Sequence, residues 1–530
     1  MIFAAATALP YWLDALEWQG GARGKPVLIW GLCALLLALY AVFCDKTRSV
    51  ASLAWAASFL LSVFCIPWTA FRTRLERTKL LSRLWSLVLV FAVLCAGVLN
   101  SVGVRVHNLY EADMETMFYG SAAQRAANET LVPQGGEFYR AHDMEIDVHD
   151  EDVEARPFVY GTYGISNYAS ELSGALSTWH KKTFRFRTTP VCAGIYQSFD
   201  DRLFPEIAWG LRYKVSNGHT ASDLPTVWWK TQTASGEPVY ENKLSTGFSL
   251  WYDSAMNEKD WLALPVAERD ALILQCAAVE TDVATRYPAA VPDDVTTALP
   301  LQFTDAELSG ASFEGDGLLH VPEEATLTWN VGAQSAEGEW LMALTLDETA
   351  GEPLFSLTAG GRTLEKFADT PASESLNYPL SDYALRFAGT ERQLCVTLSR
   401  GVYDVSDFCI SHNSYAHLTE WVAARNSGEF DSLTVSGSHI DGVFTAPSAG
   451  ILALSMPLSP GWTCRVDGVA VPLVCVNGVF AGVELSPGVH ALELHYMPPY
   501  LVAGACVTLL TALVLAAYLL CRKRNSMEER

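Results

Sequence analysis

Basic side chains are scarce in this chain, 36 Lys and Arg against 59 Asp and Glu in 530 residues, and the shortage is local. Residues 105–499 hold 23 basic and 53 acidic side chains, a net charge near −30. A field of that sign repels phosphate backbones, so nucleic acid is not an expected partner, and docking on an anionic polymer would need a local basic exception. Several minimal catalytic parts are missing as well. The sequence has no G-x-x-x-x-G-K-[ST] loop, no H-E-x-x-H and no G-x-S-x-G, so nucleotide hydrolysis, zinc proteolysis and serine hydrolysis lack their starting motifs. Twelve cysteines form no C-x-x-C pair, which removes the usual zinc and thioredoxin-type spacings. No metal site and no bound cofactor are expected of this chain.

What is abundant is apolar sequence in long runs. Pro26 to Cys44, Val50 to Ala70, Leu84 to Val104 and Tyr500 to Cys521 are each close to the roughly 20 residues that cross a bilayer core as a helix. They are too long, and too separated by charge, to be a cleaved signal peptide, whose apolar core is about 7 to 15 residues. Arg72, Arg74, Arg77, Lys79 and Arg83 lie between the second and third runs, and Arg522, Lys523 and Arg524 follow the fourth. By the excess of Lys and Arg in cytoplasmic loops, both places are cytoplasmic, which puts residues 105–499 on the outer side and the N-terminus inside. Lys46 and Arg48, in the short first loop, then face outward against the rule. Pro67 falls within the second run, where neighbouring helices or water must satisfy the freed carbonyl. The expected localisation is the cell membrane, multi-pass, with one large extracytoplasmic domain.

Met1 to Gly20 carries Pro10, Tyr11, Trp12 and Trp18 with only Asp14 and Glu17 charged, as an interfacial or re-entrant segment would. Asp14 and Glu17 lie three apart on one helical face, a place for a carboxylate in glycosyl transfer; the deduced topology puts them on the cytoplasmic side, as solvated interfacial charges.

The outer block reads as mostly strand. From about Gly136 to Pro300, strand-like pieces (Gly136 to Asp143, Leu211 to Val215) alternate with helical ones (Tyr168 to Lys181, Trp261 to Val279), a mixed α+β pattern. From about Leu308 the strands come at short intervals. Gly450 to Met456, Trp462 to Val466, Phe480 to Leu485 and Gly488 to Tyr496 are separated by Asp467-Gly468, Asn477-Gly478 and Ser486-Pro487-Gly488, as in a β-sandwich. The expected organisation is membrane-spanning α-helices plus a large extracytoplasmic α+β and β-sandwich domain. Residues 1–104 form three spans, 105–307 the mixed region, 308–499 the sandwich, and 500–530 the last span and a cytoplasmic tail. No linker rich in Gly, Pro or Ser divides the parts, and no internal repeat is present.

Within this block, Cys464 and Cys475 flank one expected hairpin, at Asp467-Gly468, and Cys395 and Cys409 another, near Arg400-Gly401. Both pairs are disulfide candidates in an oxidising exterior, with separately packed thiols as the alternative. His142 to Glu154 is the densest carboxylate cluster, with Asp143, Glu145, Asp147, His149, Asp150, Glu151, Asp152 and Glu154; Asp143, Glu145 and Asp147 alternate as the wet face of a strand does, and a weak Ca²⁺ site is the other reading. His490 and His495, five apart, point to opposite faces of a late strand.

Sixteen tryptophans are many for this length. Trp228, Trp229, Trp251, Tyr252 and Trp261 cluster in the middle region. Exposed indole faces stack on sugar rings, and Glu241 or Asn242 nearby would hydrogen-bond hydroxyls, so Trp228, Trp229, Glu241 and Asn242 are the candidate substrate-binding residues. Neighbours on a strand point opposite ways, which makes one of Trp228 and Trp229 a core residue.

Leu454 to Gly468 (LSMPLSPGWTCRVDG), then Asn477-Gly478, Gly482-Val483, Gly488-Val489-His490 and a strand Ala491 to Pro499 running into the last apolar run, resemble the C-terminal end of the bacterial YfhO family of multi-pass membrane proteins. Glu137 to Arg140 (EFYR), Gly164 to Ser170 (GISNYAS), Leu211 to Lys214 (LRYK) and Val239 to Asn242 (VYEN) follow the family's order; Leu458 stands where the pattern has Tyr. The resemblance implies a GT-C-like glycosyltransferase that uses a polyprenyl-phosphate sugar to modify a cell-envelope polymer such as teichoic acid. In such enzymes an acidic residue on the first outer loop of the N-terminal membrane half acts as base or metal ligand, so the complete enzyme takes a divalent cation as an option. No position here matches that residue, and the catalytic residues stay unassigned. The expectation is therefore the C-terminal part of such an enzyme, lacking the catalytic half, with membrane lipid, the sugar donor, the polymer and a separate N-terminal membrane half as partners. The alternative is a non-catalytic, membrane-anchored surface protein that binds a glycan or a protein.

Overall fold

The computed structural model describes residues 122–528, apart from 134–136, 144–159, 166, 169–173, 187–194, 197–198, 216–223, 226, 232–237, 316, 333–336, 351–354, 360–361 and 367–381. The chain divides into two compact units, Met1–Thr116 and Met117–Arg530. Every described residue belongs to the second. The first three apolar runs, Asp14, Glu17, and the carboxylates from Glu145 to Glu154 lie outside the described residues.

The described part is mostly β, as expected. Its C-terminal portion is built around the strand Gly450–Pro457, which hydrogen-bonds antiparallel to Phe480–Leu485 on one side and to Ser249–Tyr252 on the other. Side chains alternate along a strand, and here both faces are covered. Leu452, Leu454 and Met456 meet Ile440, Phe444, Leu492 and Leu494 of a second, five-stranded sheet, while Ile451 and Ala453 point into an aromatic core with Trp179, Phe204, Trp261 and Trp421. This accounts for the unbroken burial of residues 450–456. Burying both faces needs a sequence without polar alternation, and GILALSM supplies it.

The hairpin signals act through backbone conformation. Asp467 and Gly468 have φ of 53° and 78°, and Asn477 and Gly478 have 51° and 74°, the left-handed pairs that let a tight turn follow the twist of its strands. Asn477 also donates to the Tyr252 hydroxyl (3.1 Å) and accepts from Ala278 N (2.7 Å), which ties the turn into the aromatic core. Ser486-Pro487 does not close a hairpin. It passes the chain from Phe480–Leu485 to Gly488–Tyr496, in the facing sheet.

Between these parts, a nine-stranded antiparallel sheet carries its own core of Leu327, Trp329, Trp340, Leu344, Leu398 and Ile410. Its central element, Gln393–Ser414, is one strand of 22 residues. The turn expected at Arg400-Gly401 is absent, so Cys395 and Cys409, fourteen positions apart on one strand, are separated by roughly 45 Å at about 3.3 Å per residue. They cannot bridge. Cys464 and Cys475 belong to the two different facing sheets, and both are free thiols. Two expected helices also break up. Tyr168 to Lys181 becomes the short helix Gly174–Thr178 and a π turn, Trp179–Thr183; Trp261 to Val279 becomes Glu258–Leu262, Val266–Leu272 and the strand Ala277–Val279, with Pro265 at the first interruption.

The chain ends in the helix Leu501–Glu528, whose Leu501, Val502, Val507, Leu509, Leu510, Leu513 and Val514 are exposed. Among the described residues, no helix is long and apolar enough to cross a membrane; side chains of this one are described only as far as Val514.

Candidate functional site

The motifs LRYK and VYEN fall on adjacent strands of one five-stranded sheet and EFYR leads into the strand beside them at Arg140, in the order Tyr163–Gly164, Arg140–Asp143, Leu211–Val215, Val239–Asn242, Trp228–Thr231. Gly210 is the turn residue immediately before Leu211–Val215. Its φ of 72° and the 1.9 Å that would separate an added Cβ from Gly247 O leave no room for another residue. The pairing places Trp228 opposite Asn242 and Trp229 opposite Glu241. The four candidate residues thus sit side by side, but in two pairs on opposite faces.

One pair faces inward. Trp228 and Asn242 are buried, and the Lys214 ammonium lies 4.7 Å from the Trp228 ring. Lys214 donates to Asp201 (2.5 Å) and to Glu206 (2.6 Å) without contact with water. Burial pushes the Lys214 ammonium down and the Glu206 carboxyl up, and each offsets the other's shift. Arg202 makes a two-toothed pair with Asp270 (2.6 and 2.8 Å), equally buried, and burial raises the Asp270 carboxyl to about 6. Asn242 accepts from Leu244 N (2.9 Å), fixing the turn after its strand. Trp228 Nε1, Asn242 Nδ2 and Glu206 Oε2 are buried and have no hydrogen-bond partner among the described residues. On this face Trp228 and Tyr240 pack with Leu211 and Leu224.

The other pair faces out. Trp229 is 63 % exposed, with the Lys243 ammonium 5.7 Å from its ring. Beside it, Glu241 accepts three hydrogen bonds on the same oxygen, Oε1: from Arg212 Nε (3.2 Å) and Nη2 (3.1 Å) and from the Tyr213 hydroxyl (3.3 Å). Oε2 takes none of these. A β-bulge explains why Arg212 and Tyr213, neighbours in sequence, reach the same carboxylate: between Arg140 and Ala141 the register jumps from Leu211 to Tyr213, leaving Arg212 as the extra residue. The guanidinium also lies 5.5 Å from the Tyr139 ring and 5.3 Å from that of Tyr213, and the two tyrosines meet edge to face at 5.1 Å. Burial is the main reason that the Tyr213 phenol is held above its ordinary value. Farther along the same face, Ala127 and Leu131, at the helix Ala122–Thr130, cover Ala141, Val215 and Val239, so the open part is the row Tyr213, Glu241, Trp229.

Arg212, Tyr213, Tyr139 and Lys243 were not among the residues selected from the sequence. Arg212 and Tyr213 were visible in LRYK, but only the bulge brings both onto Glu241. Among the described residues, no three His, Cys, Asp or Glu side chains are grouped to hold a metal ion. His490 bonds to Asp467 (2.8 Å) and to Ser486 O (2.9 Å), and so fastens a turn.

An uncharacterized protein YfhO of Bacillus subtilis (strain 168) is 20 % identical over 392 residues, 72 % of this chain and 44 % of that protein. The chain therefore spans less than half the length of this curated relative. Among solved structures, the C-terminal CBM6 of the laminarinase LamC from Zobellia galactanivorans aligns with 22 % of this chain and 99 % of its own, at 14 % identity and a TM-score of 0.16. The arabinofuranosyltransferase AftD from Mycobacteria aligns with 29 % of this chain and 12 % of its own, at 17 % identity and a TM-score of 0.12. Scores that low carry no assignment of fold or function. The profile of the family described as bacterial membrane protein YfhO matches residues 1–508, and on that match the chain belongs to the YfhO family of bacterial membrane proteins.

Proposed function

We propose that the chain is part of a membrane glycosyltransferase of the cell envelope, drawing on a polyprenyl-phosphate sugar, and that its large outer domain holds the acceptor polymer against Trp229 and Glu241. The observation that carries this reading is the exposed Trp229 ring beside a carboxylate pinned through one oxygen. A sugar ring stacks on an indole face, and a carboxylate oxygen left over from an Arg clamp accepts sugar hydroxyls. Because Arg212 and Tyr213 hold Glu241 in place, little side-chain freedom is lost on binding. Lys243, over the Trp229 ring, supplies a local basic exception in an acidic block, which suits a polymer carrying phosphate, teichoic acid among them. The Lys and Arg distribution around the apolar runs supports a multi-pass protein with this domain on the extracytoplasmic side.

The test is acceptor binding by the chain in lipid nanodiscs. Trp229→Ala should weaken binding of envelope polymer about tenfold, equivalent to about 1.4 kcal/mol, and Glu241→Gln by a smaller factor. Unchanged binding in both variants would remove the site. Sugar transfer by the complete protein, slowed in the same variants, separates the enzyme from a surface protein that only binds; binding without any transfer would favour the latter.

A further inference from the structure

The five-stranded sheet of the C-terminal half has two ends. One carries the Asp467-Gly468 turn and His490; at the other, the chain leaves the strand Gly488–Tyr496 for the helix Leu501–Glu528. Three segments meet at this second end. Tyr496 N donates to Ser438 O (2.8 Å), Met497 N donates to Gly461 O (3.0 Å), and His439 lies opposite His495 with ring centroids 4.4 Å apart. Residues 436–440, 459–463 and 494–500 contain no Asp, Glu, Lys or Arg. Residues 105–499 as a whole hold 53 carboxylates. Acids return one rung inward, at Asp441 and Glu493, which pair with each other.

Aromatic and apolar side chains take their place. Trp462 and Tyr496 are in ring contact at 5.3 Å, Met497 is 44 % exposed and Tyr500 87 %. Tyr500, with φ of 63°, turns the chain, Leu501 N reaches back to Pro498 O (3.2 Å), and the apolar helix begins at once. Five residue steps separate Tyr496 from Leu501, at most about 17 Å even if extended. If the helix enters a bilayer, this end of the sheet has to lie at its surface, where Trp and Tyr concentrate because one end of each ring is apolar and the other wet.

We propose that this edge of the sheet rests on phospholipid headgroups, with Trp462, Tyr496, Met497 and Tyr500 in the interfacial layer and the His439–His495 pair donating hydrogen bonds to lipid phosphate. The inference rests on the reading of Leu501–Glu528 as a membrane span. The missing carboxylates are its second support, since a negative edge would be repelled by the phosphates it faces. Held in this way, the domain has a fixed tilt over the membrane rather than swinging on its last helix.

The experiment uses the full chain in vesicles of phosphatidylglycerol and phosphatidylethanolamine brominated near the headgroup end of their acyl chains. The Trp462 signal is the difference between wild type and Trp462→Phe. That difference should lose at least half its intensity to brominated lipid and little to aqueous iodide. In parallel, Cys506, exposed on the helix, is tested with a water-soluble maleimide and mapped by mass spectrometry; protection is expected. Protection of Cys506 with a Trp462 signal quenched by iodide and not by lipid would leave the span standing and overturn the headgroup contact. Labelling of Cys506 would overturn the span, and the contact with it.

Discussion

At the scale of single residues, alternation along a strand decides what each tryptophan does. Trp228 and Trp229 have the same chemistry and adjacent positions, yet one is 7 % exposed and the other 63 %. Trp228→Ala should therefore destabilise the domain by about 3–5 kcal/mol, the range for emptying a buried aromatic site, and leave Lys214 without its ring contact. Trp229→Ala should change stability by less than about 0.5 kcal/mol. Denaturant titration of the two variants checks the contrast, and equal effects would mean that the pairing with Asn242 and Glu241 is shifted by one residue. That one of the two is a core residue was legible in the sequence. Which one was not, since the choice depends on what lies behind the sheet.

Among elements, tight turns were the most legible. Asp467-Gly468 and Asn477-Gly478 adopt the left-handed conformations that their side chains permit at low cost, so the local sequence suffices. The Asp467 turn has a further fastening with a pH signature. The hydrogen bond from His490 lowers the Asp467 carboxyl, and the same bond, against a smaller opposing effect of burial, raises the His490 imidazole. A raised folded value means that His490's contribution is fully present below about 6.5, the unfolded value, and is lost as pH rises through the folded one. On the acid side, the Asp467 contribution is lost as pH falls through its lowered value. The difference in thermal midpoint between wild type and His490→Gln should then be largest near pH 5 to 6 and shrink above neutrality; a difference flat from pH 5 to 9 would count against the bond. Helices were less legible. Tyr168 to Lys181 and Trp261 to Val279 carry apolar residues at helical spacing, but most of these enter an aromatic core from short, separately angled pieces.

Across the whole molecule, the central layer is assembled from segments far apart in sequence. Ser249–Tyr252 pairs with Gly450–Pro457, about two hundred residues on, and puts Leu250 and Tyr252 into one core and Trp251 into the other. A fragment of residues 308–499 lacks that strand and would expose an apolar sheet edge as well as the face that Ile451 and Ala453 bury. Such an edge pairs with other chains. We expect the fragment to aggregate, and the fragment 117–499, which keeps the strand, to stay dispersed; size-exclusion chromatography distinguishes them, and a monodisperse, cooperatively unfolding 308–499 would show that the strand is dispensable.

The sequence by itself determined what is local or additive: the apolar runs, the acid excess of residues 105–499, the turn positions, and the strands Leu211–Val215, Trp462–Val466, Phe480–Leu485 and Gly488–Tyr496. Each follows from the conformational preference or transfer energy of a few neighbouring residues. Only the tertiary structure decided that Gln393–Ser414 runs straight past the expected turn and so parts Cys395 from Cys409. It alone decided that a bulge brings Arg212 and Tyr213 together on Glu241, and that Trp229 faces solvent while Trp228 faces Lys214. The physical reason is the same each time: these outcomes depend on which distant strand supplies the next hydrogen bond, and a one-residue change in that pairing reverses every face.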